Sequence, residues 1–132
     1  MIEIVFPDDW SERLAWLTAV ATMVIGLALM LFPRTFGHYL GLSFRSDTNN
    51  GVSELRGAFG GMWIGLGLAC LLLAQPFTYF ALGLAFFGAV IGRLISLLVD
   101  RTFNPHCLIA TALEALGAYF PLRFAMESFG LI

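Results

Sequence analysis

Two side chains of opposite charge stand inside apolar stretches of this sequence. Arg93 lies in "GAVIGRLISLLVD" and Glu114 lies in "HCLIATALEALGAYF". Counted along a helix, each lies roughly 9–10 Å inside the same end of its apolar run. Because a short connection joins the two runs, their helices must be neighbours. We therefore expect the two charges to meet at one depth.

A charge pair at this depth has two interpretations. An ionisable side chain at the centre of a membrane helix costs about 2.5–3.5 kcal/mol on insertion scales, and pairing with an opposite charge removes much of that cost. The pair of Arg93 and Glu114 therefore either fixes the register of two helices or forms the polar part of a ligand site. The sequence leaves both interpretations open.

A second group of charges stands at the start of an earlier apolar run. The stretch "SELRG" places Glu54 and Arg56 there. If four helices close in sequence order, both side chains converge with Arg93 and Glu114 in one polar pocket. Such a pocket could hold a lipid or quinone head group, carry protons, or anchor a partner helix. The alternative for Glu54 and Arg56 is solvated charge at the membrane interface.

These charges are not accompanied by a recognisable catalytic set. The sequence has no nucleophile–base pair, phosphate loop or nucleotide fingerprint, and no spacing of carboxylates and histidines that indicates a metal site. Its two cysteines, Cys70 and Cys107, are predicted at different depths, which excludes a disulfide. We therefore expect no catalytic residues, no metal and no cofactor other than a bound quinone or lipid. An enzyme is the less favoured class.

The elements that must position the charges are four apolar runs, each long enough to cross a bilayer. Of the 132 residues, 59% are hydrophobic and 12% are charged, against about 25% charged residues in an ordinary soluble domain. The runs lack the alternation of strands. The sequence predicts an all-α integral membrane four-helix bundle. It forms a single transmembrane domain over 1–132, with helices at about 11–33, 54–75, 78–99 and 105–126 and an interfacial loop at 34–53.

Small residues form stripes along these helices. The second run contains a doubled G-x-x-x-G pattern, Gly57, Gly61 and Gly65, and the third contains Gly88 and Gly92. Membrane helices associate through close packing of such residues. We expect these glycines to pack inside the bundle. The alternative is that the Gly57–Gly65 stripe docks a partner, either another membrane protein or a second copy of the chain.

The placement of arginine predicts an orientation. Four arginines flank the first and third loops, and two lie on the side of the termini: Arg34, Arg45, Arg56 and Arg101 against Arg13 and Arg123. The positive-inside tendency then places these loops in the cytoplasm and both termini outside. The net charge of −2 and the lack of a basic patch exclude a nucleic-acid partner. Membrane lipids are the expected surroundings.

A pattern that covers nearly the whole chain resembles a known group of proteins. The first run ends in Pro33, "RTFG" follows, and Glu54 to Gly57 form a shortened E-x-x-R-G-like entrance before a Gly-rich helix and a charged helix. This resembles the small bacterial four-helix membrane proteins of unknown function near the DoxX-like group. The resemblance implies a bacterial cytoplasmic (inner) membrane. Because some DoxX-like proteins are subunits of quinone-linked redox complexes, it also implies a link to quinones, but it transfers no catalytic residues.

Three functions are compatible with these features. The first is an accessory or scaffold subunit of a membrane complex, favoured by the small size and the Gly-rich helix faces. The second is a quinone- or lipid-head-group-binding protein linked to a redox pathway, with Arg93 and Glu114 as its polar site. The third, a small transporter, requires a polar path that the apolar runs hardly supply. A stable membrane complex after gentle extraction would favour the first function, and a retained small molecule would favour the second.

Overall fold

The computed structural model of the protein describes residues 6–132, and this part of the chain is all-α and contains no β-strand. The elements are α1 Trp10–Leu31, α2 Pro33–Tyr39, α3 Asn50–Glu54, a π-helical segment Leu55–Gly61, α4 Met62–Leu73, α5 Pro76–Val99 and α6 Pro105–Ser128. The prediction of an all-α fold is confirmed. Helix α3, the π segment and α4 run on as one rod.

Counting α3, the π segment and α4 as one rod, the chain has four helical rods that are long and apolar enough to cross a membrane. They are Trp10–Leu31, Asn50–Leu73, Pro76–Val99 and Pro105–Ser128. At most 28% of the residues in each span are buried inside the protein. A bundle that exposes so much apolar surface requires an apolar solvent around it, since monomers in water rarely expose large apolar patches. The architecture is that of a multi-pass membrane protein.

Proline and asparagine set the helix boundaries on either side of the short connections. Pro76 and Pro105 occupy the first helical turn, where the missing N–H of proline costs nothing. Asn104 caps α6, because its Oδ1 accepts a hydrogen bond from the Cys107 backbone N at 2.8 Å. Ala74 adopts a left-handed conformation with φ 47° and ends α4. Short connections of this kind hold consecutive helices side by side.

Helix α1 lies against most of the other long helices. It packs on the π segment, on α4 and on α6, while α5 packs chiefly against α6. The buried cluster at the centre contains Ala15, Ala19, Cys70, Tyr79 and Leu82. Small residues on α1 thus let the backbones approach closely, and the larger side chains of its neighbours fill the remaining space.

Close backbone contact occurs at glycines other than those expected. A Cβ built on Gly60 would lie 2.9 Å from Met30 Cβ, one on Gly67 would lie 2.7 Å from the Ala19 carbonyl oxygen, and one on Gly26 would lie 2.9 Å from the Gly60 oxygen. Three glycines therefore let the second rod contact α1 directly.

The glycines that the sequence analysis selected do not make such contacts within the described chain. A Cβ on Gly57, Gly65, Gly88 or Gly92 would meet nothing within 4 Å, and one on Gly61 would make contacts of ordinary length, 3.7 Å. The expectation of internal packing at these four open positions is therefore wrong for the single chain. The i→i+5 turns of the π segment are wider than α-helical turns. They break the spacing of four on which the stripe depends, so that Gly60 and Gly67 face α1 instead.

The segment expected as a loop over 34–53 contains regular structure at both ends. Helix α2 begins at Pro33 and α3 begins at Asn50. Proline at the first position favours the start of a helix, which explains why the apolar first run ends and a short helix follows at once. Between them, Arg45 forms a salt bridge with Asp47 at 2.7 Å. Hydrogen bonding from Arg45 lowers the pKa of the Asp47 carboxyl below its ordinary value.

Candidate functional site

Arg93 and Glu114 meet between α5 and α6. The Arg93 Nε donates a hydrogen bond to the Glu114 Oε2 at 2.6 Å. The Arg93 and Glu114 side chains are 31% and 15% exposed, respectively, so the pair is partly buried. The antiparallel hairpin of α5 and α6 brings the two side chains to one depth, which is the placement that their distances from the helix ends predict.

An open cavity of about 320 Å³ lies beside this pair. It is lined by α1, α4, α5, α6 and the end of α2, and its lining is apolar apart from the two charged side chains and two threonines. Leu113 and Leu116 on its rim are 63% and 50% exposed. Since these leucines face outward at the depth of Glu114, the rim opens on the side that a bilayer would cover.

The threonines on the α1 wall offer no unpaired donor. The Thr18 hydroxyl donates to the Leu14 carbonyl at 2.9 Å, and the Thr22 hydroxyl donates to the Thr18 carbonyl at 2.8 Å. Such bonds to the preceding turn are a common way to bury these residues in membrane helices. Of the charged and hydroxyl-bearing side chains that line the cavity, Arg93 and Glu114 are therefore the ones left to recognise a ligand.

An aromatic pair separates this cavity from a smaller one. The rings of Trp63 and Phe86 lie 5.9 Å apart. Both residues, together with Thr22, also line a cavity of about 140 Å³ between α4 and α5. The two spaces thus share three lining side chains.

A polar cluster at the connection of α5 and α6 was not foreseen from the sequence. The Ser96 hydroxyl donates to the Asp100 Oδ2 at 2.8 Å and lies 3.4 Å from the Thr102 hydroxyl. Thr102 lies 3.6 Å from the Cys107 sulfur. The cluster holds the turn in place. The short polar stretch "SLLVDRTFNP" is the signal that could have indicated it.

Glu54 and Arg56 do not join the cavity. The Arg56 Nη1 donates to the Met30 carbonyl at 2.6 Å, and an arginine in this position satisfies a free carbonyl at the end of α1. Glu54 is exposed and forms no hydrogen bond or salt bridge with a residue of the described chain. The structure therefore pairs Arg93 with Glu114. Glu54 and Arg56 stay near the start of the second rod, because Arg56 bonds to α1.

A histidine links the interfacial segment to α6. The His106 Nε2 lies 2.6 Å from the Tyr39 carbonyl oxygen, so the ring donates a hydrogen bond there. This contact holds the end of α2 against α6 and brings Leu40, the next residue, to the cavity wall. This link was not predicted from the sequence, since it joins positions 67 residues apart.

The cysteines and acidic residues form no further centre within residues 6–132. Both cysteines, Cys70 and Cys107, are free and buried. No group of three His, Cys, Asp or Glu side chains in the described part of the chain could hold a metal ion. The chemistry that this site offers is therefore hydrogen bonding and charge at one point of an apolar cavity.

Comparison with known proteins gives one family. Residues 12–122 match the family model described as Domain of unknown function (DUF4345). This confirms the expectation of a small domain of unknown function, while the DoxX-like relationship stays a prediction. No curated protein and no solved structure matches the chain. Since the matched residues make up most of the sequence, the chain belongs to the family Domain of unknown function (DUF4345).

Proposed function

We propose that this membrane protein binds an amphipathic small molecule, taken up from the bilayer, in the cavity between α1, α5 and α6. The observation that carries the proposal is a partly exposed Arg93–Glu114 pair on the wall of an otherwise apolar cavity of about 320 Å³. Sites for small molecules usually are apolar clefts of about 300–1,000 Å³ with a few polar groups that fix orientation. A quinone or a lipid head group is a ligand of this kind.

The position of the pair favours a site over a purely structural bond. A pair that only fixed helix register would be best placed between tightly packed side chains, where both partners are covered. Here both charged side chains line the cavity, and the exposed rim at Leu113 and Leu116 offers a lateral way in. Ionisable residues within membrane spans commonly mark substrate sites.

A pair of matched variants tests this proposal. Ala110 lines the cavity, whereas Ala112 lies on the same helix, is exposed and is not part of the lining. We expect the natural protein and Ala112→Trp, gently purified, to retain the same lipophilic small molecule by mass spectrometry. Ala110→Trp fills the cavity and should lose it. Retention by all three proteins, or by none of them, would refute the proposal.

An accessory subunit is the second candidate function. Its support is the open space over Gly57, Gly65, Gly88 and Gly92, where a partner helix could approach closely. The partner would be another membrane protein or a second copy of this chain. We expect Gly65→Leu and Gly88→Leu to reduce a cross-linked or co-purified complex severalfold, while Val24→Ala, at an exposed position of α1, leaves it intact. Identical complexes in all variants would exclude this face.

We further propose a bacterial cytoplasmic membrane with both termini outside. The support is the excess of arginine beside the first and third loops and the resemblance described above. Several arginines of this side lie at the ends of helices or in the segment between α2 and α3, namely Arg34, Arg45, Arg56 and Arg101. At these positions they would meet the lipid head groups of the inner leaflet.

A further inference from the structure

The proposed ligand site presents a donor and an acceptor side by side. The salt bridge uses the Nε of Arg93 and the Oε2 of Glu114. The Nη groups of Arg93 and the Oε1 of Glu114 form no hydrogen bond with the described residues. They also do not belong to the polar atoms that are buried there without a partner. These atoms therefore keep accessible surface, and the cavity is the space that both side chains line.

From this arrangement we propose that the site takes an electrically neutral lipophile whose head group both accepts and donates a hydrogen bond. The inference rests on the proposed ligand-binding function and narrows its ligand class. A carbonyl or similar oxygen would accept from the Arg93 Nη groups, and a hydroxyl or amide N–H would donate to the Glu114 Oε1. Primary amides, hydroxy-ketones and protonated carboxylic acids have this pattern.

The charge balance of the cavity argues against an ionised head group. Arg93 and Glu114 neutralise each other, and the described lining supplies no further charge. An anionic phosphate beside Arg93 would lie within a few ångströms of Glu114, and like charges at such distances repel strongly where water is scarce. A cationic head group meets the same objection from Arg93.

The size of the cavity limits the hydrophobic part of the ligand. A volume of about 320 Å³ is near the lower end of small-molecule sites, which begin at about 300 Å³. It accommodates one head group and the first part of one chain, with the 140 Å³ space behind Trp63 and Phe86 as an extension. A head group carrying two acyl chains would have to leave most of both chains outside the rim.

Selective retention of matched probes tests the inference. The protein is placed in phosphatidylcholine nanodiscs with equal amounts of dodecanamide, which is neutral, and dodecyl phosphate, which is anionic, and retained probe is measured by native mass spectrometry. Retention by Ala110→Trp, whose cavity is filled, is subtracted as background. We expect at least tenfold more dodecanamide than dodecyl phosphate on the natural protein.

Charge-neutralised variants identify the residue responsible. Glu114→Gln should reduce the preference for dodecanamide at least tenfold, because the repulsion of the phosphate is gone. Glu127→Gln is the matched control, since Glu127 pairs with Arg123 outside this cavity, and it should keep the preference. The comparison on the natural protein stands even if Glu114→Gln does not fold.

The possible failures separate the two proposals. Equal or greater retention of dodecyl phosphate by the natural protein overturns the neutral-ligand inference and leaves ligand binding in place. An unchanged preference in a folded Glu114→Gln also overturns it. Retention of neither probe above the Ala110→Trp background, together with no natural lipophile, overturns both.

Discussion

At the scale of the residue, the arginine in the third membrane helix is stabilised by a single strong partner. Arg93 donates to Glu114 at 2.6 Å, and charge-assisted hydrogen bonds of this kind are about twice as strong as neutral ones. The pair is only partly exposed, so removing one member leaves the other in a poorly solvated place. The two single substitutions should therefore cost more than the removal of both charges together.

A double-mutant cycle measures this coupling. We expect Glu114→Leu and Arg93→Leu each to lower the free energy of unfolding by about 1–3 kcal/mol, the usual cost of leaving a buried polar group unpaired. The double variant should be closer to the natural protein than the sum of the two, as measured by unfolding in detergent. Strictly additive losses would show that the two charges do not depend on each other.

The sequence could place this pair but not its surroundings. Counting residues from the helix ends predicted that Arg93 and Glu114 share one depth, because α5 and α6 are regular and their connection is short. The convergence of Glu54 and Arg56 with them was not predictable by counting. It depended on how the second rod turns against α1, and there Arg56 bonds to the Met30 carbonyl instead.

The exposed pair of Arg45 and Asp47 gives a prediction for pH. Hydrogen bonding from Arg45 lowers the pKa of Asp47 below its ordinary value. The small stabilisation that accompanies a lowered carboxyl pKa is present above the unfolded value and is lost as the pH falls through the folded one. We expect NMR titration to give Asp47 a pKa below that of an ordinary aspartate in the natural protein.

The same titration on two variants checks the cause. Arg45→Gln should return the Asp47 pKa toward its ordinary value. Arg34→Gln is the control, because Arg34 bonds to Asn49 and not to Asp47, and the Asp47 pKa should stay low. A low value that survives in Arg45→Gln would assign the shift to the backbone instead.

At the scale of the element, the π segment decides which glycines touch α1. The sequence shows the doubled G-x-x-x-G pattern of Gly57, Gly61 and Gly65, and a regular α-helix would place these three on one face. Residues Leu55–Gly61 form wider turns, and Gly60 and Gly67 make the close contacts. The local sequence contains no signal that predicts a π turn. Gly60 of this segment packs against Met30 of α1, a contact between helices that the pattern of a single helix does not contain.

Leucine substitutions distinguish the two sets of glycines. Gly67→Leu should lower the free energy of unfolding by about 1–3 kcal/mol or more, the usual cost of overpacking, because a Cβ there already approaches the Ala19 backbone. Gly65→Leu, two residues away with open space around it, should cost little in the isolated chain. The measurement is unfolding in detergent, and equal losses at both positions would contradict the observed packing.

At the scale of the whole molecule, the four rods and their exposed apolar surface define a multi-pass membrane protein. Composition and run length were sufficient to predict this, since no soluble domain of this size hides so much apolar material. The side of the membrane on which the loops lie is a separate matter. The placement of arginine predicts it.

Cysteine labelling from one side of the membrane tests the orientation. Natural Cys70 and Cys107 are buried, so a cysteine introduced at the exposed positions 46 or 130 is the main accessible thiol. In intact cells we expect an impermeant reagent to label Gly130→Cys at least tenfold faster than Ser46→Cys. Faster labelling of Ser46→Cys would reverse the proposed topology.

The outward rim at Leu113 and Leu116 changes how an affinity for this cavity should be expressed. A compound that reaches the cavity sideways is drawn from the hydrocarbon phase, where its partition coefficient sets its local abundance. Each buried methylene adds about 0.8 kcal/mol to that enrichment. Two homologues with identical head groups would then differ in apparent aqueous dissociation constant by their chain length alone. Expressed as mole fraction of total lipid, the same two titrations should coincide.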